Sequence, residues 1–505
     1  MNSHDPNFCS MPSCSNQVVN DSERCILHSE KSQEILSKQD CENFFRLFLE
    51  YIENIVTKSY SYFQKDLQLL KEYIANPSPD IRRKFLRDPF ECELIIDYIN
   101  FPNRYERDEE DYWELIKNFS KIKFKKCIFY NSGFGKVLKP MSFEYCEFKY
   151  IWEIYNHLSF SDKDAMYSSC IFHCNVNTVS ESIFHRPIFK FSKFKGNLHL
   201  INSKFESSIF DLSVPAELEI SELRLTNSTF NSSINLLTSK IQHLNVNNSV
   251  FNKEFNLRNS EIENILWVEN KNNAKFSITN SKIDTCKISN CTFNGILDID
   301  KTFFNKNGDV TITYCEFKDF VNFKSSVFTN GLSLEDINYL TPPNFLYSKI
   351  NSSKTSRETH RIIKDSFDKT GNFIEANKYY AEEMNCFTKE LKDKKISSTK
   401  LLFNLYKIFS YFGQSISRPV LWIIVLAVIV WLLQLGKKSN LLYFFKPLNP
   451  MLEDISFHLN GIAKSIIPFK NILITGMEFI SFFFYIIFTS LFWLIVLAIK
   501  RKTKR

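Results

Sequence analysis

The chain has 505 residues, 50 of them Phe and only 11 Gly, and a formal charge of +7. Much of that charge lies in the run Lys500-Arg501-Lys502-Thr503-Lys504-Arg505, so the body is near neutral and lacks the basic face that a nucleic-acid groove needs. The length exceeds what one hydrophobic core serves and implies about three units, while a Phe share about twice the usual calls for a regular way of burying rings.

The N-terminus, Met1-Asn2-Ser3-His4-Asp5, lacks the basic-then-apolar pattern of a signal peptide, so the expected setting is the cytosol and the 13 cysteines are read as thiols or metal ligands. Cys9, Cys14, Cys25 and His28 follow one another as C-x4-C-x10-C-x2-H around the turn formers Pro12, Ser13 and Asn16. Three soft thiolates and one imidazole can close a tetrahedron around zinc. A segment this polar cannot fold unaided, so metal binding would supply its folding energy. The arrangement resembles small bacterial zinc knuckles, and residues 1–30 are assigned to a structural zinc site with no open coordination position.

Residues 31–120 are expected to form a small helical domain, since Phe44, Leu47, Tyr51, Ile52 and Ile55 share a stripe and Pro77, Pro79 and Pro89 punctuate the segment.

From residue 121 to 350 a unit recurs in which two alternating apolar residues precede a small Ser, Cys or Thr, followed two residues later by Phe or Ile. Examples are Ile122-Phe124-Cys127-Phe129, Leu244-Val246-Ser249-Phe251, Phe276-Ile278-Ser281-Ile283 and Val310-Ile312-Cys315-Phe317. Ile241, Ile262, Ile283 and Phe304 fall 21 residues apart. Alternation inside a period near 20 implies stacked β coils, each needing neighbours to bury its inward residues. About ten coils at ~4.8 Å each would span on the order of 50 Å. Asn227, Asn248, Asn259, Asn280 and Asn290 recur at one place in the unit and read as turn or ladder residues. Cys127, Cys146, Cys170, Cys291 and Cys315 occupy the small inward position and read as core.

This pattern resembles the pentapeptide-repeat family, which implies a right-handed quadrilateral β-helix. Copies near 149–164 and 265–272 are interrupted and the steps Phe293 to Ile299 to Phe304 are 6 and 5, so bulged coils are expected there. Some members of that family mimic DNA; the balance of acid and base over 191–350 speaks against it here.

Residues 351–400 read as two amphipathic helices broken at Thr370-Gly371-Asn372, with His360 taken as a surface residue. Residues 401–505 read as a membrane hairpin with spans at about 419–436 and 478–499, anchored by Trp422 and Trp431. Lys389, Lys392, Lys394, Lys395, Lys400, Lys407 and the basic C-terminal run place both ends in the cytosol, giving a multi-pass protein of the inner (plasma) membrane. The connection 436–476 would lie outside, with a short helix at Ile455–Ile467 and no potassium-filter sequence.

The fold class is therefore multidomain and mainly β, a β-helix with flanking helices and a transmembrane pair. The whole arrangement resembles bacterial pentapeptide-repeat membrane proteins, a resemblance that implies either ion-channel-like or phage-defence roles. Two readings stay open: a membrane-anchored scaffold that binds a protein partner on its solenoid surface, and a sensor-effector whose hairpin oligomerises into a pore. No P-loop, H-E-x-x-H, G-x-S-x-G or G-x-G-x-x-G occurs, so an enzyme with an unrecognised site comes third and no catalytic residue is assigned. The expected partners are a lipid bilayer, a protein and further copies of the chain, with no nucleic acid.

Overall fold

The structure is a computed structural model that describes residues 8–11, 14–18, 23–31, 37–59, 64–75, 90–103, 116–130, 140–155, 164–211, 218–305, 308–391, 398–438 and 478–503. The chain forms two compact units, Met1–Asn351 and Ser352–Arg505.

The first unit is a parallel β-solenoid of about 10 turns. It begins earlier than the repeat pattern alone indicates. Helices Lys38–Ser59 and Gln64–Ala75 meet the helical expectation, but Phe90–Asp97 is a strand paired in parallel with Phe119–Lys125. Leu94 and Ile96 are fully buried while Ile95 between them is 38% exposed, which is the alternation of a strand and not a helix stripe.

Each coil turns its corners with left-handed residues. In the regular stretch these are Asn227, Thr238, Asn248, Asn259, Glu269, Asn280, Asn290 and Lys301, all with φ between 46° and 56°. Asn tolerates this region better than other residues with a side chain, which is why it recurs there. All five asparagines singled out in the sequence stand at such corners. A small inward residue follows each corner, and its side chain accepts a hydrogen bond from the equivalent backbone N–H of the previous coil. Ser228 N–H thus donates to Ser249 Oγ (3.2 Å), Ser239 N–H to Ser260 Oγ (3.2 Å) and Ser260 N–H to Ser281 Oγ (3.1 Å). The backbone donors displaced from the sheet at each corner are satisfied in this way, which a buried N–H requires.

Two residues further on, the rings stack. Phe101, Phe129, Phe148, Phe172 and Phe194 form one column with centroids 4.6–5.2 Å apart, close to the strand spacing. Cys127, Cys146, Cys170, Cys291 and Cys315 are buried, and all the described cysteines are free thiols.

Successive corners alternate between eleven and ten residues. The steps of 6 and 5 are therefore a regular property of the coil, which carries one six-residue side, and not a local defect. On a five-residue side of the same coils, Ser221, Gln242, Glu263 and Asp284 fall between paired residues and drop out of the strand pairing. The copy at 265–272 is also intact as backbone. Ile265 and Trp267 face inward, Asn270 takes the small position and Asn272 takes the ring position. Within the other interrupted copy, Trp152–Ile154 is strand, and residues 156–163 lie outside the described residues.

The second unit opens with the expected helix pair, Arg357–Lys369 and Phe373–Glu390. Ser356 and Asn372 cap them by accepting from the N–H groups of Thr359 and Glu375, and Gly371 turns between them at φ 75°. His360 is fully buried, not on the surface as expected, because it lies on the same helix face as Ile363 and Phe367 and meets Tyr379 (ring centroids 6.0 Å). Helices Ser398–Ser410, Ser417–Lys438 and Glu478–Thr503 follow.

Among the described residues one helix, Phe479–Thr503, is long and apolar enough to cross a membrane, with a mean hydropathy of 2.5 and 11% of its apolar window buried. The first expected span lies in helix Ser417–Lys438, of which Ser417–Val430 is described as a shorter apolar helix. The multi-pass expectation thus reduces to one supported span. The expected outer connection and its helix at 455–467 lie outside the described residues.

Candidate metal centre and solenoid groove

Cys9, Cys14, Cys25 and His28 come together, with one ligand atom from each lying within 4.8 Å of all the others. Cys14 Sγ and Cys25 Sγ are 3.7 Å apart, and His28 Nδ1 lies 3.4 Å from Cys9 Sγ and 3.2 Å from Cys25 Sγ. Four ligands on one tetrahedral ion at ordinary bond lengths would have edges of about 3.8 Å between sulfurs and about 3.6 Å from sulfur to nitrogen. The observed edges fit a metal ion.

Local turns set the geometry. Cys9 N–H donates to Asn16 O (3.0 Å), bridging Phe8 to Gln17, and the N–H groups of His28 and Ser29 both fold back on Cys25 O. Burial, with Lys31 and Arg24 nearby, lowers the His28 pKa to about 4, so its imidazole is the neutral form that a metal needs. Burial pushes Cys14 up to about 12 and raises Cys25 as well. Thiols gathered so closely ionise only when a cation offsets the repulsion of their charges.

Two residues that the spacing did not reveal complete the site. Lys31 is buried and donates from Nζ to Ile26 O (2.5 Å), Ser29 O (2.9 Å) and Ser29 Oγ (2.8 Å), placing a positive charge beside a cluster that would keep one net negative charge around a divalent ion. Asn100, in the first coil, donates from its backbone to Leu27 O (2.8 Å) and from Nδ2 to His28 O (2.9 Å) and Ser29 O (3.0 Å). The cluster is therefore hydrogen-bonded onto the solenoid's first edge, beside Phe44 and Phe48, whose rings pack on Phe101. A lone Lys or Asn in sequence carries no sign of such a role, since only the fold brings position 100 to position 28.

A second feature runs along the solenoid. The column of unpaired residues Ser221, Gln242, Glu263 and Asp284 lines a groove of about 500 Å³ that spans several coils. Ile241, Ile262 and Ile283 line it with Gln242, Glu263 and Asp284, and Glu219, Lys240, Glu261 and Lys282 alternate in charge along one rim. Lys282 Nζ reaches Glu261 Oε1 at 2.8 Å. The 21-residue recurrence of polar residues beside each inward Ile is the sequence signal that points to it.

Set against known protein families, curated proteins and solved structures, the chain matches none of them.

Proposed function

We propose that this chain is a membrane-anchored binding scaffold whose solenoid groove holds an extended segment of a protein partner. The groove carries this reading: it runs across several coils, is lined by the polar side chains of Gln242, Glu263 and Asp284 and offers both signs of charge on its rim, which suits a peptide backbone flanked by alternating side chains. The ion at Cys9, Cys14, Cys25 and His28 is zinc, held structurally, because three thiolates and an imidazole suit zinc and leave no position for substrate. The solenoid belongs with the right-handed quadrilateral pentapeptide-repeat folds.

Helix Phe479–Thr503 anchors the protein, with Lys500, Arg501 and Lys502 holding that end in the cytosol. Helix Ser417–Lys438 packs against it and would form the second half of a hairpin, leaving both termini on the cytosolic side of the plasma membrane. No catalytic role is assigned. Glu263→Lys with Asp284→Lys should abolish partner capture by the full chain while leaving its melting temperature unchanged; retained capture would remove the groove from the proposal. Overexpression should leave the membrane potential unchanged. Depolarisation that disappears on deleting 478–505 would instead establish the pore-forming alternative.

A further inference from the structure

Near the basic end of the anchor helix, the second unit contains a pocket of about 530 Å³ lined by Tyr411, Gln414, Ser415, Ile416, Ser417, Arg418 and Lys502. Its construction starts with an unusual turn. Tyr411, Phe412 and Gly413 have φ of 49°, 56° and 77°, three successive left-handed residues that break the chain between helices Ser398–Ser410 and Ser417–Lys438. Arg501 secures this turn: its guanidinium donates to Phe412 O and lies 4.6 Å over the Tyr380 ring, while its own carbonyl accepts from Asn377 Nδ2 at 3.0 Å. The next residue, Lys502, is thereby held at the pocket, exposed and with no ion-pair partner among the described residues.

The other donors come from the turn and from the start of helix Ser417–Lys438. Arg418 stacks 4.9 Å from the Tyr411 ring and uses one nitrogen to donate to Lys407 O (3.0 Å), which orients its guanidinium and leaves the rest of it uncommitted. Ser415 Oγ and Ser417 Oγ are 3.1 Å apart, and Gln414 Nε2 is a buried amide nitrogen with no partner among the described residues. The carboxylate that comes near, Glu382, is engaged by the Tyr411 hydroxyl at 3.0 Å. Two cations, a serine pair that keeps one hydroxyl hydrogen free and an unpaired amide N–H around one cavity are the donor set of a phosphate site.

We propose that this pocket binds the phosphate of an anionic lipid headgroup and so fixes the anchor to acidic membrane. The proposal rests on the membrane anchorage argued above, because a pocket at the cytosolic end of a spanning helix sits at headgroup level. Arg418 and Lys502 give the charge, and the serines and Gln414 give the directional contacts.

Testing it begins with full-length protein from a membrane fraction washed in carbonate. Absence from that fraction would overturn the anchorage itself, and with it the premise of this site. The detergent-solubilised chain is then melted with added phosphatidylglycerol, phosphatidylcholine or inorganic phosphate at equal phosphate. Phosphatidylglycerol alone should raise the melting temperature. Arg418→Gln and Lys502→Gln should each raise its half-saturating concentration about fivefold, whereas Lys389→Gln, equal in charge change but outside the pocket, should leave it unaltered. Lys502 is exposed, so its substitution tests the site even if Arg418→Gln disturbs the turn. Equal responses of wild type and both pocket variants would overturn the proposal, and stabilisation by inorganic phosphate as strong as that by phosphatidylglycerol would overturn the lipid assignment.

Discussion

At position 272 a column of inward rings carries an amide. Asn272 pairs in register with Phe251 and Phe293, is 1% exposed, and has no hydrogen-bond partner for either side-chain atom. Trp267 takes over the ring contact instead, stacking on Phe251 (4.9 Å) and Phe276 (4.3 Å). Buried polar atoms without partners are costly, so Asn272→Leu, close in volume, should stabilise the solenoid by about 1–3 kcal/mol in denaturant melts. A loss of stability would show that the amide is satisfied in solution. His360 is a second buried polar group. If its Nε2–H donates to Ser352 O (3.4 Å), Nδ1 is left buried and unpaired, and burial lowers its pKa below the ordinary 6.5. A base whose folded pKa is depressed takes up protons more readily when unfolded. The stability of the neutral form is therefore complete above about pH 6.5 and is lost as pH falls below it. The melting temperature of the second unit should drop between pH 7 and 5, and His360→Phe should flatten that dependence. The left-handed asparagines were legible in the sequence because their backbone preference is intrinsic; the burial of His360 was not, since a single His beside charged residues on an amphipathic helix reads as surface until its partner helix is placed.

At the scale of elements, the four-ligand cluster and helix Lys38–Ser59 cover an edge that would otherwise expose unpaired strand. Solenoids need such covers, because an open edge invites pairing with other chains. Metal removal should act beyond the cluster, since Asn100 ties it to the first coil. Elemental analysis of the full chain should find one zinc per molecule. Cys25→Ser or chelator should release it, lower the first melting transition and speed hydrogen exchange in Phe90–Asp97 more than in Glu261–Val268. Uniform exchange changes, or none, would mean that the cap and the coil are energetically separate. The ligands were legible because chelation imposes its own spacing. The strand at Phe90–Asp97 escaped because its copy, Leu94-Ile96-Ile99-Phe101, carries Ile99 where the unit has Ser, Cys or Thr.

For the molecule as a whole, stacking decided what could be read. Period, inward residues and coil length were visible in the sequence because every coil repeats the same contacts with its neighbours. The groove was not, since it arises from one residue per coil that fails to pair, and its charges are spread over positions 219 to 284. The long apolar helix was visible from composition, whereas the residues of the pocket beside it lie up to more than eighty positions apart in the chain and come together only through the Arg501 contact.

The 21-residue register of Ile241, Ile262 and Ile283 makes length a quantised property. Each coil presents its successor with the same surface, so removing one whole coil brings matched faces together, while removing a fraction of one rotates every later side chain away from its place. Excising 241–261 should join Lys240 to Ile262 and yield a folded solenoid one turn shorter, and excising one residue fewer should unfold everything downstream. Such a chain can be lengthened or shortened like a ruler cut only at its marks, without any new core having to be invented.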